Sequence, residues 1–335
     1  MKILVTGGAG FIGSHTVVEL IDNGYNPIIV DDLRNSKKFI LNNLEKISAK
    51  KIAHYSIDCG NIDKLSAVFE KENPEGIIHF AADKAVNESV INPLKYYHNN
   101  ISNLINLLKV VSKFPVKSFV FSSSCTVYGV PDLIPVDESA KIKPAFSPYG
   151  YTKQVGERIL TDFVKTFPDI SLSLLRYFNP IGAHTSGLIG ELPLGVPNNL
   201  IPFITQTAIG KRDFLTVYGN DYNTSDGTCI RDYIHVMDLA NAHVLTLNHG
   251  LENNTKPLIL NVGTGKGNSV LEIIESFEKV NGLPLKYIFG PRREGDVPAI
   301  YADNKLITQK IGWKSKYSIE DALKHSWIWE QKLSQ

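Results

Sequence analysis

The chain has 335 residues, with 35 lysines and arginines against 34 aspartates and glutamates and 43% hydrophobic residues. That length allows a sizeable core in one large or two closely packed units, and the near-zero net charge leaves no basic footprint for nucleic acid or a membrane surface. The cysteines Cys59, Cys125 and Cys229 are too widely spaced for a disulfide framework or paired zinc ligands, the histidines lack metal spacing, no apolar run approaches the ~20 residues of a membrane span and no secretory leader is legible, so the expectation is a cytoplasmic α/β enzyme without a metal.

Residues 2–6 read as a strand, 11–23 as a helix with Phe11, Ile12, Val18 and Ile21 toward one face, and 27–31 as a second strand. The alternation continues with a strand at 51–57, helix 61–72, strand 76–80, helix 94–113, strand 117–122, helix 148–167 and strand 171–176. It predicts a doubly wound parallel sheet of the Rossmann type, with helices on both faces. From 178 onward glycine, proline and asparagine become frequent. Helical patterns return at 199–209, 237–248, 269–280 and 318–333, and the apolar run 257–262 suits one more strand of the sheet. The predicted division is a dinucleotide-binding unit, 1–177 with 234–265, and a smaller substrate-binding region, 178–233 with 266–335.

The first strand is followed by Gly7-Gly8-Ala9-Gly10-Phe11-Ile12-Gly13. Glycines there permit a tight turn and let a pyrophosphate approach the backbone, and the helix that follows offers free N–H groups and a positive dipole end. Asp31 closes the second strand about 18 residues after Gly13, the spacing expected of a ribose-binding carboxylate. Asp31 and Asp32 favour NAD over NADP, because a carboxylate accepts from a free hydroxyl and repels a phosphate; one of the two reads as a turn residue or cap. Asp58, ending the third strand, reads equally as an adenine contact or a helix cap.

In SPYGYTK, residues 147–153, Ser147 is an N-cap and Pro148 the first helical residue. Tyr149 and Lys153 then share a helix face, while Tyr151 lies over Val155 and is a bystander. A phenol with an ordinary pKa of about 10 needs a fall of about 3 to act near neutrality. The Lys153 ammonium, the helix N-terminus and a nicotinamide cation all favour phenolate. A tyrosine so placed takes a proton from an alcohol as hydride leaves the same carbon. Tyr301 and Lys305 repeat the spacing in the irregular region and read as coincidence. The fifth strand ends in Ser122-Ser123-Ser124-Cys125-Thr126, where strand ends face the ligand crevice; one serine suits the reacting oxygen, and at least one other satisfies local backbone.

These segments, together with RYFNPIGAH, GELPLGVPNNLIPFI, GNDYNTSDGTCIRDYIHVMDLA and GPRREGDVPA, make the chain similar over essentially its whole length to the extended short-chain dehydrogenase/reductase family, and more narrowly to its UDP-hexose 4-epimerases. The resemblance implies that Ser124, Tyr149 and Lys153 are catalytic. It implies NAD contacts from Gly7, Gly10, Phe11, Ile12 and Gly13 of the loop, from Asp31, Asp32, Asn35, Asp58 and Cys59, and from Phe80, Ala81, Lys84, Asn99, Tyr149, Lys153 and Tyr177. It places the nucleotide-sugar against Lys84, Ser124, Tyr149, Phe178 and Asn179, and against Asn199, Leu200, Tyr218, Arg231, Tyr233, Arg293 and Asp296. Two arginines suit phosphates and Tyr218 suits uracil, although Arg231 beside Asp232 reads alone as a surface ion pair of little energetic worth.

The implied activity is interconversion of UDP-glucose and UDP-galactose through a 4-keto intermediate, in galactose metabolism, by a homodimer joined along helices 94–113 and 148–167. Epimerisation of N-acetylated UDP-hexoses, or another nucleotide-sugar oxidoreductase reaction, is the alternative. Relatives that eliminate water carry an Asp-Glu pair, and decarboxylases a Glu, where this chain has Cys125 and Thr126, which counts against both reactions. Three further features depart from or vary within the family: Tyr151, expected to face outward; the apolar residues Leu188, Ile189, Leu192 and Leu194 of loop 185–194, suited to local packing or a partner surface; and Ile300, at a position of variable size beside the sugar pocket.

Overall fold

The computed structural model describes residues 1–253, 257–293 and 296–335. Runs such as Ile3-Leu4-Val5 carry no polar side chain toward either face, as strands covered on both sides require, and all three are fully buried. The first half alternates as β1 (Lys2–Thr6), α1 (Phe11–Asp22), β2 (Asn26–Val30), α2 (Lys38–Ser48), β3 (Ala53–Tyr55), α3 (Ile62–Glu72) and β4 (Gly76–His79). Then come α4 (Val86–Ile91), α5 (Pro93–Tyr97), α6 (Asn103–Val111), β5 (Ser118–Ser124), α7 (Pro148–Thr166) and β6 (Ser171–Tyr177). The later chain adds β7 (Asn179–Ile181), α8 (Leu200–Ala208), β8 (Leu215–Tyr218), β9 (Ile230–Arg231), β10 (Tyr233–His235), α9 (Val236–Glu252) and β11 (Leu258–Val262). It closes with β12 (Asn268–Ser269), α10 (Val270–Asn281), β13 (Tyr287–Gly290), β14 (Ala299–Ile300), α11 (Lys305–Ile311) and α12 (Ile319–Leu333).

Seven strands form one sheet in the order β11-β6-β5-β4-β1-β2-β3, every pair parallel. The chain winds one way from β1 to β3 and the other from β4 to β6, so the strand order reverses between β1 and β4 and opens a crevice at their carboxyl ends. One face packs on α1, α2 and α9 through Val17, Leu20, Leu44, Leu239 and Leu247. The other packs on α3, α6 and α7 through Leu65, Phe69, Leu107 and Leu160. A further core joins α8, α10 and α12 through Ile204, Ile273, Phe277 and Leu323.

The run 257–262 joins the sheet as expected, as β11 beside β6. Three readings are corrected. The strand placed at 51–57 is confined to β3. The helix placed at 94–113 is α5 and α6 joined by a π-helical turn, His98–Ser102. Its additional residue lets two consecutive asparagines bond within the fold: Asn99 accepts from Arg34 at 2.9 Å, and Asn100 donates to the Asp83 carbonyl at 2.9 Å and Thr152 at 3.1 Å. Finally, α2, α4, α11, β8 and β13 occupy stretches to which no element is assigned above; α2 buries Ile40, Leu41 and Leu44, with Ile47 packed against the same core.

Candidate active site

Backbone proximity shapes the glycine loop. Gly7 has φ +70°, and a Cβ there would sit 2.8 Å from the Ala81 nitrogen. At Gly13 a Cβ would lie 2.2 Å from the Gly7 carbonyl oxygen, so α1 can start against the loop only because that position is bare. Gly10 caps α1 without a side-chain bond, leaving the first helical N–H groups for an anion. This cradle fits a dinucleotide pyrophosphate. Phe11 and Ile12 open the helix beside it.

Asp31 accepts from Ala9 N at 3.0 Å, Leu33 N at 2.8 Å and Ser36 Oγ at 3.2 Å, and burial raises its carboxyl above the usual range. It braces the loop as well as ending β2. Asp32 pairs with Arg34, whose guanidinium also reaches Asn99 at 2.9 Å and Asp58 at 2.6 Å. Asp58 receives Gly60 N at 2.8 Å and Asn103 at 2.9 Å, while Asn61 caps α3, so the helix-cap reading of Asp58 is corrected. Cys59 is buried, its thiol pushed up to about 12. Across the crevice, Phe80 packs against His243 with the rings tilted and centroids 4.7 Å apart, Ala81 N donates to Thr6 Oγ at 3.3 Å, and Asn35 donates to Asp83 at 3.3 Å.

Ser147 accepts from Gly150 N at 3.1 Å and Pro148 opens α7, as the sequence indicated. Tyr149 and Lys153 are both buried, and the Lys153 ammonium lies 5.9 Å from the Tyr149 ring centroid and 5.0 Å from that of Phe121. The three serines, indistinguishable by position in the sequence, have different partners. The Ser122 carbonyl accepts from Lys153 Nζ at 2.7 Å, and its hydroxyl meets the Tyr177 hydroxyl at 2.9 Å. Ser123 donates to Glu157 at 2.5 Å. Ser124 accepts from Thr126 N at 3.3 Å and is the serine that bears on the Tyr149 hydroxyl.

The phenolate expectation counts Lys153, the helix terminus and a bound nicotinamide cation together; without the cofactor the protein's own groups push the other way. Burial pushes the Tyr149 hydroxyl well above its ordinary value, Tyr177 pushes the same way, and Ser124 opposes them. Burial also brings Lys153 down to about 8, against the pull of Glu157. Tyr151 is half exposed, edge-on to Tyr97 with centroids 6.3 Å apart. Lys305, of the second Tyr-x-x-x-Lys, is exposed and bonded to Asp303 at 2.7 Å.

On the opposite wall, Phe178 and Ile300 are buried with Cys125 and Val127 in one cluster that reaches beneath the end of β5. Asn179 N donates to the Asp232 carbonyl at 2.9 Å. Asp232 is fully buried and accepts from Thr264 N at 2.8 Å and from Gly265 N and Ala302 N at 3.1 Å. The reading of Arg231 with Asp232 as a surface ion pair is therefore corrected. Arg231 reaches the Val297 carbonyl at 2.8 Å and Asp296 at 3.3 Å. Asp296 also takes Arg293 at 2.9 Å, and that guanidinium sits 5.4 Å from the exposed Tyr218 ring. Tyr233 is buried, its hydroxyl pushed up to about 12. Glu294 and Gly295 of GPRREGDVPA lie outside the described residues.

Sequence reasoning missed Arg34, Glu157, Glu191 and Arg292, each a charged residue whose partner is remote in the chain. Glu191 receives Lys84 at 2.9 Å and Asn199, beside Leu200 at the start of α8, at 2.6 Å. Arg292 lies 4.3 Å over Tyr222 and bonds Asp221 at 2.7 Å. In loop 185–194, Ile189 is fully buried in the main core and Leu192 packs against it, whereas Leu194 is exposed.

A sequence profile described as GDP-mannose 4,6 dehydratase matches residues 4–326. A relative from Bacillus subtilis named UDP-glucose 4-epimerase is 48% identical over 98% of this chain and 97% of its own length. The chain belongs to the extended short-chain dehydrogenase/reductase family, among its UDP-glucose 4-epimerases. Within that family, a UDP-glucose 4-epimerase from Stenotrophomonas maltophila, solved with NAD and formylated UDP-arabinopyranose, superposes with TM-score 0.97 at 43% identity, covering 100% of this chain and 99% of that one. The Bifidobacterium longum epimerase, in complex with NAD+ and UDP, gives 0.96 at 44% identity, over 99% and 98%. Among the described residues no helix is long and apolar enough to cross a membrane.

Proposed function

We propose that the chain interconverts UDP-glucose and UDP-galactose by reversible oxidation at C4 of the hexose. The observation that carries this reading is the placement of Ser124 beside Tyr149 and Lys153 at the end of β5, with Cys125 and Thr126, not carboxylates, next in the chain. NAD, bound across the glycine loop with Asp31, Asp32 and Asp58 on its adenosine side, supplies the hydride acceptor and donor. Tyr149 removes the proton of the 4-hydroxyl, Ser124 orients that oxygen, and Tyr149 returns the proton when the 4-keto sugar is reduced on its other face. A Lys153 ammonium 5.9 Å from the ring stabilises the phenolate that burial alone disfavours. Arg231 and Arg293, with Asn179 and Asn199, hold the diphosphate, and Tyr218 stacks on uracil. Arg293 and Asn199 exchange their carboxylate partners for the ligand. The division into 1–177 with 234–265 and 178–233 with 266–335 is part of this reading and is supported by the return of the chain to the sheet at β11.

A cytoplasmic homodimer suits the exposed residues Leu94 and Ile105, on α5 and α6, and Tyr151 on α7, and light scattering tests that assembly. The activity is tested by incubating the holoenzyme with UDP-galactose and no added NAD. Formation of UDP-glucose without accumulation of reduced nicotinamide supports the proposal, and absence of UDP-glucose with the bound nicotinamide left reduced refutes it. A parallel arm with UDP-N-acetylgalactosamine reads the substrate range.

A further inference from the structure

Three consecutive residues at the end of β5 are tied to three turns of α7. The Ser122 carbonyl holds Lys153 at 2.7 Å, Ser123 donates to Glu157 at 2.5 Å, and Ser124 bears on Tyr149. Glu157 in turn receives Arg176 of β6 through two parallel bonds, Nε at 2.9 Å and an NH2 nitrogen at 2.6 Å. The side chains of this pair are only 3% and 6% exposed. Desolvating two charges costs several kcal/mol, and an apolar pair of similar size is often as stabilising, so stability alone is a poor reason to bury them here. Glu157 follows Lys153 by one helical turn on the same face, near enough for its charge to bear on the ammonium. Arg176 also directly precedes Tyr177, whose hydroxyl meets Ser122 at 2.9 Å.

We propose that Glu157 is a positioning residue for the proton-transfer pair: it pins α7 to β5 and β6 and is the carboxylate that faces the Lys153 ammonium. The proposal rests on the Tyr149–Lys153 reading above. Among the described residues, the other groups near the Tyr149–Lys153 pair are uncharged apart from Arg176. His79 of β4 is pushed down to about 3 by burial. Tyr177 of β6 and Cys125 after β5 are each pushed up to about 12. Tyr96 of α5, which bears on Tyr149, is also raised, and β5 presents the Phe121 ring and the Ser122 carbonyl. Arg176 is engaged by Glu157. Removing the Glu157 charge therefore lowers the pH at which Lys153 loses its proton.

The test is the pH profile of kcat for the holoenzyme, with UDP-galactose as substrate, comparing wild type, Glu157→Gln and the neutral pair Glu157→Gln/Arg176→Met. The expected result is an alkaline limb displaced to lower pH by roughly one pH unit in Glu157→Gln and by less, in the same direction, in the double variant, which loses the Arg176 charge as well, with KM changed less than about twofold because neither residue holds substrate. The double variant, which leaves no uncompensated buried charge, carries the comparison if the single variant does not fold. Folded variants with the wild-type limb, or a loss of kcat equal at every pH, overturn the proposal. Tyr149→Phe run alongside separates the two inferences. An active phenylalanine variant overturns the assignment of the pair and the proposal with it, whereas an inactive one beside an unshifted Glu157→Gln profile overturns the proposal alone.

Discussion

Replacing Gly13 by alanine places a methyl group 2.2 Å from the Gly7 carbonyl oxygen and 2.9 Å from both the Gly7 carbonyl carbon and the Gly8 Cα. An ordinary carbon contact is about 3.5 Å, so α1 must withdraw from the loop by roughly 1 Å. Every obstructing atom is backbone and cannot swing aside. Overpacking of this kind costs about 1–3 kcal/mol. Charged to the loop that cradles the pyrophosphate, that cost weakens NAD binding by roughly 5- to 150-fold. The assay is the nucleotide released on denaturing the purified enzyme, read by absorbance, together with the thermal midpoint. Gly13→Ala is expected to lose most bound nucleotide and to melt earlier. Gly10→Ala is the internal control for the fold: its Cβ would meet only the Gly7 oxygen, at 3.2 Å, and its φ of −75° suits any residue, so its ligand-free melting temperature stays within about 1 °C of wild type. Full nucleotide occupancy in Gly13→Ala would refute the close-approach account.

Tyr149→Phe is expected to lower kcat by about 10² or more while the melting temperature stays near wild type, measured by coupled turnover and calorimetry. The double change Asp31→Ser/Asp32→Ser frees Arg34 from Asp32 and removes two negative charges, so NADP should gain on NAD by at least about tenfold in competition. Four buried histidines set an acid limit on stability. His15, His79 and His235 are lowered from 6.5 to about 3 and His243 to about 4, chiefly by burial. Each is neutral in the fold but protonates in the unfolded chain below 6.5. Their contribution is therefore fully present above that pH and is lost as pH falls toward 3–4, at about 1 kcal/mol per histidine per pH unit. Urea unfolding at pH 7.5 and 5.5 should differ by several kcal/mol; equal stabilities would contradict this.

Much of the sheet and the helix that bears Tyr149 could be read directly, because both rest on local signals. Buried parallel strands are continuous apolar runs, and Ser147-Pro148 is a complete start signal for α7. Most of what escaped depends on partners remote in the chain. The stripe of α2, with Ile40, Leu41, Leu44 and Ile47 at helical spacing, is a local signal that the strand–helix alternation left out, whereas the π turn after α5 preserves a helical pattern while shifting its register. Arg34 looks like a surface residue until Asp58 and Asn99 meet it. Glu157 occupies an unremarkable helix position until Arg176 arrives from β6. The upward push on the Tyr149 hydroxyl in the protein alone was not legible because a sequence displays charges but not burial.

The strand that completes the sheet is made late. β6 ends at Tyr177 and its outer neighbour begins at Leu258. At the ordinary pace of translation, roughly 5–20 residues per second, the nascent polypeptide waits several seconds with the β6 margin unpaired. Stalling a ribosome in that interval should yield a chain that recruits chaperones or sticks to its neighbours, and release from that state should come only after Val262 has cleared the exit tunnel.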